Sequence, residues 1–191
     1  MVEVTVDDVV VRVLKDAPEG ETRLANERMR VVLLKEAEGD RVVPIWVGPP
    51  EGDALALQLG GESMPRPMTA DLMARLVEAT EARIDRVAVN SLRDKTFYAT
   101  VTVRTGDRAT EVDARPSDAF NLALRTGAPV FVDSEVIDQS GIAAGEADER
   151  MVVLEREFRQ SLEGAEQEPE EPGEWQSLSP ELVKALYPRL K

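Results

Sequence analysis

Residues 109–125, ATEVDARPSDAFNLALR, change from a strand pattern to a helix pattern across an Arg-Pro pair. Residues 66–71, RPMTAD, repeat this arrangement, again directly before a helical pattern. Proline favours an extended or turn backbone in the residue before it and resists a position inside a helix. Each Arg-Pro pair therefore predicts a turn that opens a helix, with Thr69 and Ser117 as the N-caps.

Both turns combine opposite charges with the start of a helix. Arg66 precedes Asp71, and Arg115 precedes Asp118, so each aspartate lies in a first helical turn, where the helix dipole favours a carboxylate. Backbone N–H groups are also free at a helix start. The combination suits a phosphate group, with or without a bound cation.

Hairpin-like pairs of strands dominate the rest of the first 140 residues. Strand patterns cover 2–14, 29–35, 42–47, 83–91, 96–104, 109–113 and 129–132; helix patterns cover 49–59, 71–82, 118–125 and 134–139. Few of these strands are joined by single helical crossovers. The sequence therefore predicts an α+β fold with mixed or antiparallel sheets, and the repeated order of hairpin, Arg-Pro turn and helix suggests an internal duplication.

The C-terminal part differs in character, so we predict a domain over 1–145 followed by three smaller segments. Residues 146–163 are predicted as an amphipathic helix, because Met151, Leu154, Phe158 and Leu162 form a helical stripe. Residues 164–178 are acidic and predicted as a flexible linker. Residues 179–191 are predicted as a short C-terminal helix, whose apolar face would dock on the domain or on a protein partner.

Composition restricts the chemistry. The 191 residues include no cysteine and no histidine, which excludes thiolate nucleophiles, Ser-His-Asp triads and metal sites built from sulfur or imidazole. Any metal would need oxygen ligands, which favours magnesium, manganese or calcium. The net charge of −14 argues against a protein that coats nucleic acid through its overall field, so polyanion binding must be local.

Other classes of protein are disfavoured by missing patterns. No run approaches the roughly 18 apolar residues of a membrane helix, and residues 1–8 lack a signal-peptide pattern, so we expect a cytoplasmic protein. Phosphate-binding loops of the common NTPase and dinucleotide types are missing, as is the Gly-x-Ser-x-Gly elbow of esterases.

The remaining candidates are charged residues near predicted element ends: Glu51, Asp53, Arg66, Asp71, Asp113, Arg115 and Asp118. Carboxylates that hold divalent ions, together with cations that stabilise phosphate, can hydrolyse phosphodiesters without histidine. A structural interpretation stays open, in which the aspartates are ordinary first-turn residues and the arginines fix the turns. Trp46 is interpreted as core or interface rather than as a platform for a nucleic-acid base.

Several motifs, in order over residues 1–140, resemble the bifunctional nuclease family. They are VVLLKE from Val31, VPIWVG from Val43, RPMTADL from Arg66, TFYA from Thr96, DARPSDA from Asp113 and LRTGAPV from Leu124. The resemblance implies an α+β domain that self-associates and an activity on both DNA and RNA. It also implies a site at Glu51, Arg66, Thr69, Asp71, Asp113, Arg115, Ser117 and Asp118. Ala70 stands where the family typically has histidine.

The resulting hypothesis is a nuclease that uses Mg²⁺ or Mn²⁺. Asp71, Asp113 and Asp118 are the expected metal ligands and, with Glu51, the expected catalytic residues. Arg66, Arg115, Thr69 and Ser117 are expected to bind phosphate. The expected partners are nucleic acid at a local site and further copies of the chain, without a membrane. The main alternative is a non-catalytic module that binds an anion or a protein partner in the same Arg/Asp pocket. A third hypothesis is a scaffold whose C-terminal tail recruits another protein.

Overall fold

The computed structural model describes residues 1–14, 24, 29–161 and 173–186. Over these residues the chain forms a mixed sheet of nine strands together with six α-helices, which confirms the α+β prediction. The strands are β1 Val2–Leu14, β2 Arg30–Glu36, β3 Arg41–Val47, β4 Ala82–Arg93, β5 Thr96–Thr105, β6 Arg108–Ala114, β7 Val130–Val132, β8 Ile142–Ala143 and β9 Gly173–Ser177. The helices are α1 Pro49–Leu59, α2 Thr69–Ala79, α3 Pro116–Thr126, α4 Ser134–Ser140, α5 Ala147–Ser161 and α6 Pro180–Leu186.

The sheet has the order β6-β5-β4-β7-β1-β2-β3-β8, and β9 pairs with the end of β1. Neighbouring strands are antiparallel except for β4 and β7, which are parallel. In β1 a bulge between Val6 and Asp8 resets the alternation, so that Val9 and Val11 stay on the core side with Val4 and Val6. The valines of β1 therefore face the core on both sides of the bulge, and this long strand lies near the middle of the sheet.

One face of the sheet carries the main core, and α1, α2 and α3 lie on it. Val87, Val101 and Phe120 are buried in this core, where α3 contacts β4 and β5. On the other face α5 covers β1 and β2, because Met151 packs against Val10 and Val31. Of the predicted stripe, Met151 is buried and Leu154 is half-buried, while the side chains of Phe158 and Leu162 lie outside the described residues.

The C-terminal segments are integrated in the fold more closely than the sequence predicts. Gly173–Ser177, placed in the flexible linker, pair with β1 as a strand, while residues 164–172 of that segment lie outside the described range. The predicted last helix is α6, whose Val183 is buried in the main core. A Cβ on Gly60 at the end of α1 would overlap the Pro180 ring, so this glycine permits α6 to approach closely.

Two local predictions are wrong. Met68 and Arg115, rather than Thr69 and Ser117, occupy the N-cap positions, and both have extended backbone. In α2 the cause is Asp71, whose Oδ2 accepts a hydrogen bond from the Met68 N–H at 2.7 Å and so fixes the helix start one residue earlier. In α3 the cause is Pro116, which is well suited to the first helical position.

No helix within the described ranges is long and apolar enough to cross a membrane.

Candidate functional site

The second Arg-Pro turn forms a compact ionic cluster at the start of α3. Arg115 Nε donates to Asp118 Oδ2 at 2.7 Å, and Nη2 donates to Asp118 Oδ1 at 3.0 Å. The same Nη2 donates to Oε1 of Glu51 at 2.8 Å. These bonds, first to Asp118 and then to Glu51, raise the pKa of Arg115 above its ordinary value. The Arg115 side chain is nevertheless 65% exposed, so the cluster faces solvent.

Glu51 reaches this cluster because the starts of α1 and α3 are tied together. Glu51 lies in the first turn of α1. The buried Asn121 donates through Nδ2 to the Glu51 carbonyl oxygen at 2.9 Å and to the Ser117 carbonyl oxygen at 3.0 Å. Sequence reasoning missed Asn121, although a polar residue inside the apolar stretch 119–124 was an available signal. One amide therefore sets the position of Glu51 relative to Arg115.

The first Arg-Pro turn meets the other end of the same helix. Arg125 Nε donates to Asp71 Oδ1 at 2.5 Å, and Arg125 Nη1 donates to Asn121 Oδ1 at 2.9 Å. Burial disfavours the Asp71 carboxylate, but the Met68 N–H and the Arg125 guanidinium outweigh burial and lower the pKa of Asp71. Arg125 was read only as the end of a helix, so its role as the partner of Asp71 was also missed.

The two turns consequently share α3 within one protomer, but they do not form one carboxylate centre. Asp118 and Arg125 are separated by an axial rise of about 10 Å, which places the Asp71 and Asp118 carboxylates toward opposite ends of the helix. Among the residues with described positions, no group of three or more acidic side chains could hold a metal ion. The expected ligand set of Asp71, Asp113 and Asp118 is therefore not assembled.

Asp113 lies apart from the other candidates because of strand register. Val112 pairs with Val101, whose side chain is buried on the face covered by α3. Asp113 pairs with Thr100 and is exposed, and successive residues of a strand point to opposite faces. Its carboxylate therefore points to the face of the sheet opposite α3.

The other expected phosphate ligands have different environments. Ser117 is buried in α3, whereas Thr69 is exposed at the first position of α2. Arg66 is exposed and lines a cavity beside α2, together with Asp71 and Arg125. The buried Asp53 bonds to Arg30 Nε at 2.7 Å, so for this candidate the structural interpretation holds. Trp46 packs beside the cluster of Val10, Val31 and Met151, as expected of a core residue.

Comparison with known proteins identifies relatives of the region that contains the site. A family model described as "Bifunctional nuclease domain" matches residues 32–145. Two proteins of Mycobacterium tuberculosis, from different strains and both named as uncharacterized, are each 39% identical over 145 residues. That match covers 72% of this chain and 87% of each relative. The matched family region includes α1, α2 and α3 with all the site residues, but neither β9 nor α6.

Proposed function

The chain belongs to the bifunctional nuclease domain family, and we propose that it hydrolyses phosphodiester bonds of DNA and RNA at the cluster of Glu51, Arg115 and Asp118. One observation carries this proposal: a solvent-facing guanidinium is held between carboxylates from two separate helix starts. A guanidinium binds the planar edge of a phosphate through paired hydrogen bonds. Carboxylates beside it supply the cation ligands and proton acceptors that hydrolysis needs.

The cluster fits an oxygen-coordinated divalent ion such as Mg²⁺ or Mn²⁺. Glu51 Oε1 and Asp118 Oδ1 both lie within 3.0 Å of Arg115 Nη2. They therefore lie no more than about 6 Å from each other, whereas two oxygens on one ion are at most about 5 Å apart, so a small shift of either side chain would bring both oxygens onto one ion. Magnesium is commonly bound by one or two carboxylates, with water and substrate phosphate as the other ligands. Such an ion would activate water and neutralise charge on the phosphate.

Each residue of the cluster has a separate part in the proposed reaction. Glu51 and Asp118 would hold the cation, which would supply an activated water for attack on the phosphate. Arg115 binds the non-bridging oxygens and stabilises the negative charge that grows on them in the transition state. Asn121 is a positioning residue, because its amide holds the backbone of Glu51 against α3. Asp71, together with Arg125, fixes the start of α2 beside the other end of α3.

The test compares wild type with Arg115→Ala and Asp118→Asn on single- and double-stranded DNA and RNA. Cleavage should require Mg²⁺ or Mn²⁺, stop in excess chelator, and fall as salt is added, since few arginines engage the polyanion. We expect each substitution to lower the cleavage rate about 100-fold, as does removal of a group that stabilises transition-state charge. The loss in Arg115→Ala should be alike for all sequences, because phosphate contacts read no base.

Asp113→Asn is the matched control. It removes one aspartate charge only a few residues from Asp118, but on the opposite face of the sheet, so cleavage should stay near the wild-type rate. Cleavage that persists in chelator, or in both Arg115→Ala and Asp118→Asn, would contradict the proposed site. Loss of cleavage in Asp113→Asn with full activity in Asp118→Asn would move the chemistry to the other face.

A second candidate function is a non-catalytic module that binds an anion in the same pocket. Ala70 favours it, because this buried residue stands where the family typically has histidine and offers no side chain for proton transfer. Binding of nucleic acid that depends on Arg115, with no cleavage by pure wild type under any metal condition, would identify this alternative.

We also propose that the chain self-associates. In support, Leu72 and Leu76 expose apolar surface on α2, and Val112 does so on the edge strand β6. The molecular mass in solution, measured by light scattering, tests this proposal, and a monomer at all concentrations would contradict it. The apolar face of α6, by contrast, packs on its own chain through Leu182, Val183 and Leu186.

A further inference from the structure

A cavity of about 590 Å³ opens beside α2, at the end of α3 opposite the Arg115 cluster. Its walls are the C-terminal half of α1, residues 62–68, the first two turns of α2, and Arg125. The proposed chemistry at Arg115 makes no use of this space. The cavity is large enough for a phosphate with part of its nucleoside.

The cavity is lined by more arginines than carboxylates, and both carboxylates already have ion-pair partners. Of its two acidic residues, Glu62 pairs with Lys184 at 2.9 Å and Asp71 pairs with Arg125. Arg66 and Arg75 line the same cavity, and neither makes an ion pair or a side-chain hydrogen bond with another described residue. Arg75 is attracted to the nearby Asp71 carboxylate. The three arginines of the lining nevertheless outnumber its two carboxylates, one of which is already paired with Lys184. In a chain of net charge −14, this concave surface therefore carries a local positive charge that suits an anion.

The cavity also offers apolar contacts. Leu57 is buried in the core, and the half-buried Met64 and Met68 pack against that core while lining the cavity. Methionine adapts its shape to flat partners and makes favourable contacts with aromatic rings. A ligand that carries phosphate and an unpaired base therefore matches this lining better than a simple inorganic anion.

We propose that this cavity is a second phosphate subsite, which holds a single strand of nucleic acid at a distance from the bond being cut. The inference rests on the proposed function and names its substrate class. From Arg115 to Arg125 the helix axis rises by about 15 Å. With about 3.4 Å between successive phosphates of one stacked strand, the two sites are about four internucleotide steps apart, so a strand needs about six nucleotides to place a phosphate at both. A duplex fits poorly, because its bases are stacked and paired and are not free to enter a cavity.

Binding of labelled oligothymidylates of two, six and eight nucleotides, measured by fluorescence anisotropy in chelator, tests the proposal without cleavage. Wild type should bind the six- and eight-nucleotide strands more than tenfold more tightly than the dinucleotide. The double variant Arg66→Ala/Arg75→Ala should lose this gain, with dinucleotide affinity unchanged. For the eight-nucleotide strand, the slope of log affinity against log salt concentration should be shallower in this double variant than in wild type by about 1.4. Each lost phosphate contact contributes about 0.7 to the slope for a single strand.

The matched control is Arg83→Ala/Arg86→Ala, which removes the same charge from exposed arginines of β4. Arg83 and Arg86 lie on the sheet face opposite α1, α2 and α3, because they pair in register with Arg104 and Thr102 rather than with residues of the main core. This variant should keep both the length dependence and the salt slope of wild type. All four substituted arginines are exposed, so neither variant should lower the melting temperature appreciably.

Three results would overturn the inference: an unchanged length dependence in Arg66→Ala/Arg75→Ala, an equal loss in the control, or thymidine monophosphate binding as tightly as the six-nucleotide strand. The last result would assign the cavity to free nucleotides. Failure of the proposed function gives a different pattern. If wild type shows the length-dependent binding but never cleaves, the subsite stands and the catalytic proposal falls; if it cleaves with no length dependence, the reverse holds.

Discussion

Leu178→Ala tests whether the C-terminal segment is part of the folded domain. Leu178 lies between β9 and α6, and its side chain is only 2% exposed, within the main core. Its N–H donates to the Val9 carbonyl oxygen at 2.6 Å, which fixes the residue against β1. The substitution removes buried methyl groups and leaves this backbone bond in place.

The expected loss follows from the burial of this side chain. Truncation of a fully buried leucine to alanine typically lowers the free energy of unfolding by about 3 kcal/mol, because transfer and cavity terms add. In a domain of this size such a loss lowers the melting temperature by about 6–12 °C. Differential scanning calorimetry measures the shift, and urea denaturation gives the free energy independently.

Leu76→Ala is the matched control when both variants are compared at a concentration at which light scattering finds a monomer, since it makes the same chemical change at a leucine of α2 that is 58% exposed. Its free energy of unfolding should change by no more than about 0.5 kcal/mol. Equal, small shifts in the two variants would refute the packing of Leu178 and would restore the prediction of a tail that is independent of the domain. If the packing is correct, truncation after residue 145 costs more than Leu178→Ala, because it also removes Met151 and Val183 from the two cores.

Two further predictions concern ion pairs. Hydrogen bonds from Arg104 lower the pKa of Asp85 from 3.8 to about 2. The ionised Asp85 therefore stabilises the fold fully above pH 3.8, and this stabilisation is lost as the pH falls through 2. NMR titration should find the lowered pKa, and Arg104→Ala should return it toward 3.8. The buried ion pair of Arg12 and Glu155, at 2.8 Å, joins β1 to α5, so Glu155→Gln should lower the free energy of unfolding by about 3 kcal/mol. Glu149→Gln, on the exposed side of α5, is the control and should leave the free energy of unfolding unchanged. Equal urea midpoints for the two variants would contradict the role of this pair.

Local sequence signals located most of the elements. The helix predicted over 49–59 has the same bounds in the structure, because proline marks its start and Gly60-Gly61 its end. The strand β9 was missed, since its pairing with β1 joins residues more than 150 positions apart in sequence. Nothing in the acidic composition of 164–178 signals that distant partner. Trp175 and Leu178 were the local features at odds with a solvated linker. Trp175 packs beside Met151, and Leu178 is buried in the main core.

The sequence located the charged residues of the cluster better than it predicted which residues contact one another. The pattern located Glu51, Arg115 and Asp118, which the fold brings together. Asp113 was grouped with them by proximity in sequence, although the alternation of its own strand places it opposite Val112. Asn121 and Arg125 were not selected, because their roles depend on how α1 and α2 pack on α3. Sequence spacing fixes which side a residue faces, but tertiary packing decides its partner.

The ionic cluster also explains why cation and phosphate binding should be coupled under the proposed function. Arg115 donates hydrogen bonds to Asp118 and Glu51, so a phosphate must compete with both carboxylates for the same N–H groups. A divalent ion held by these carboxylates would leave the guanidinium free to donate to phosphate. Each ligand therefore makes the site more favourable for the other, and such linkage is reciprocal. Under that mechanism the metal ion acts on substrate binding as well as on the cleavage step.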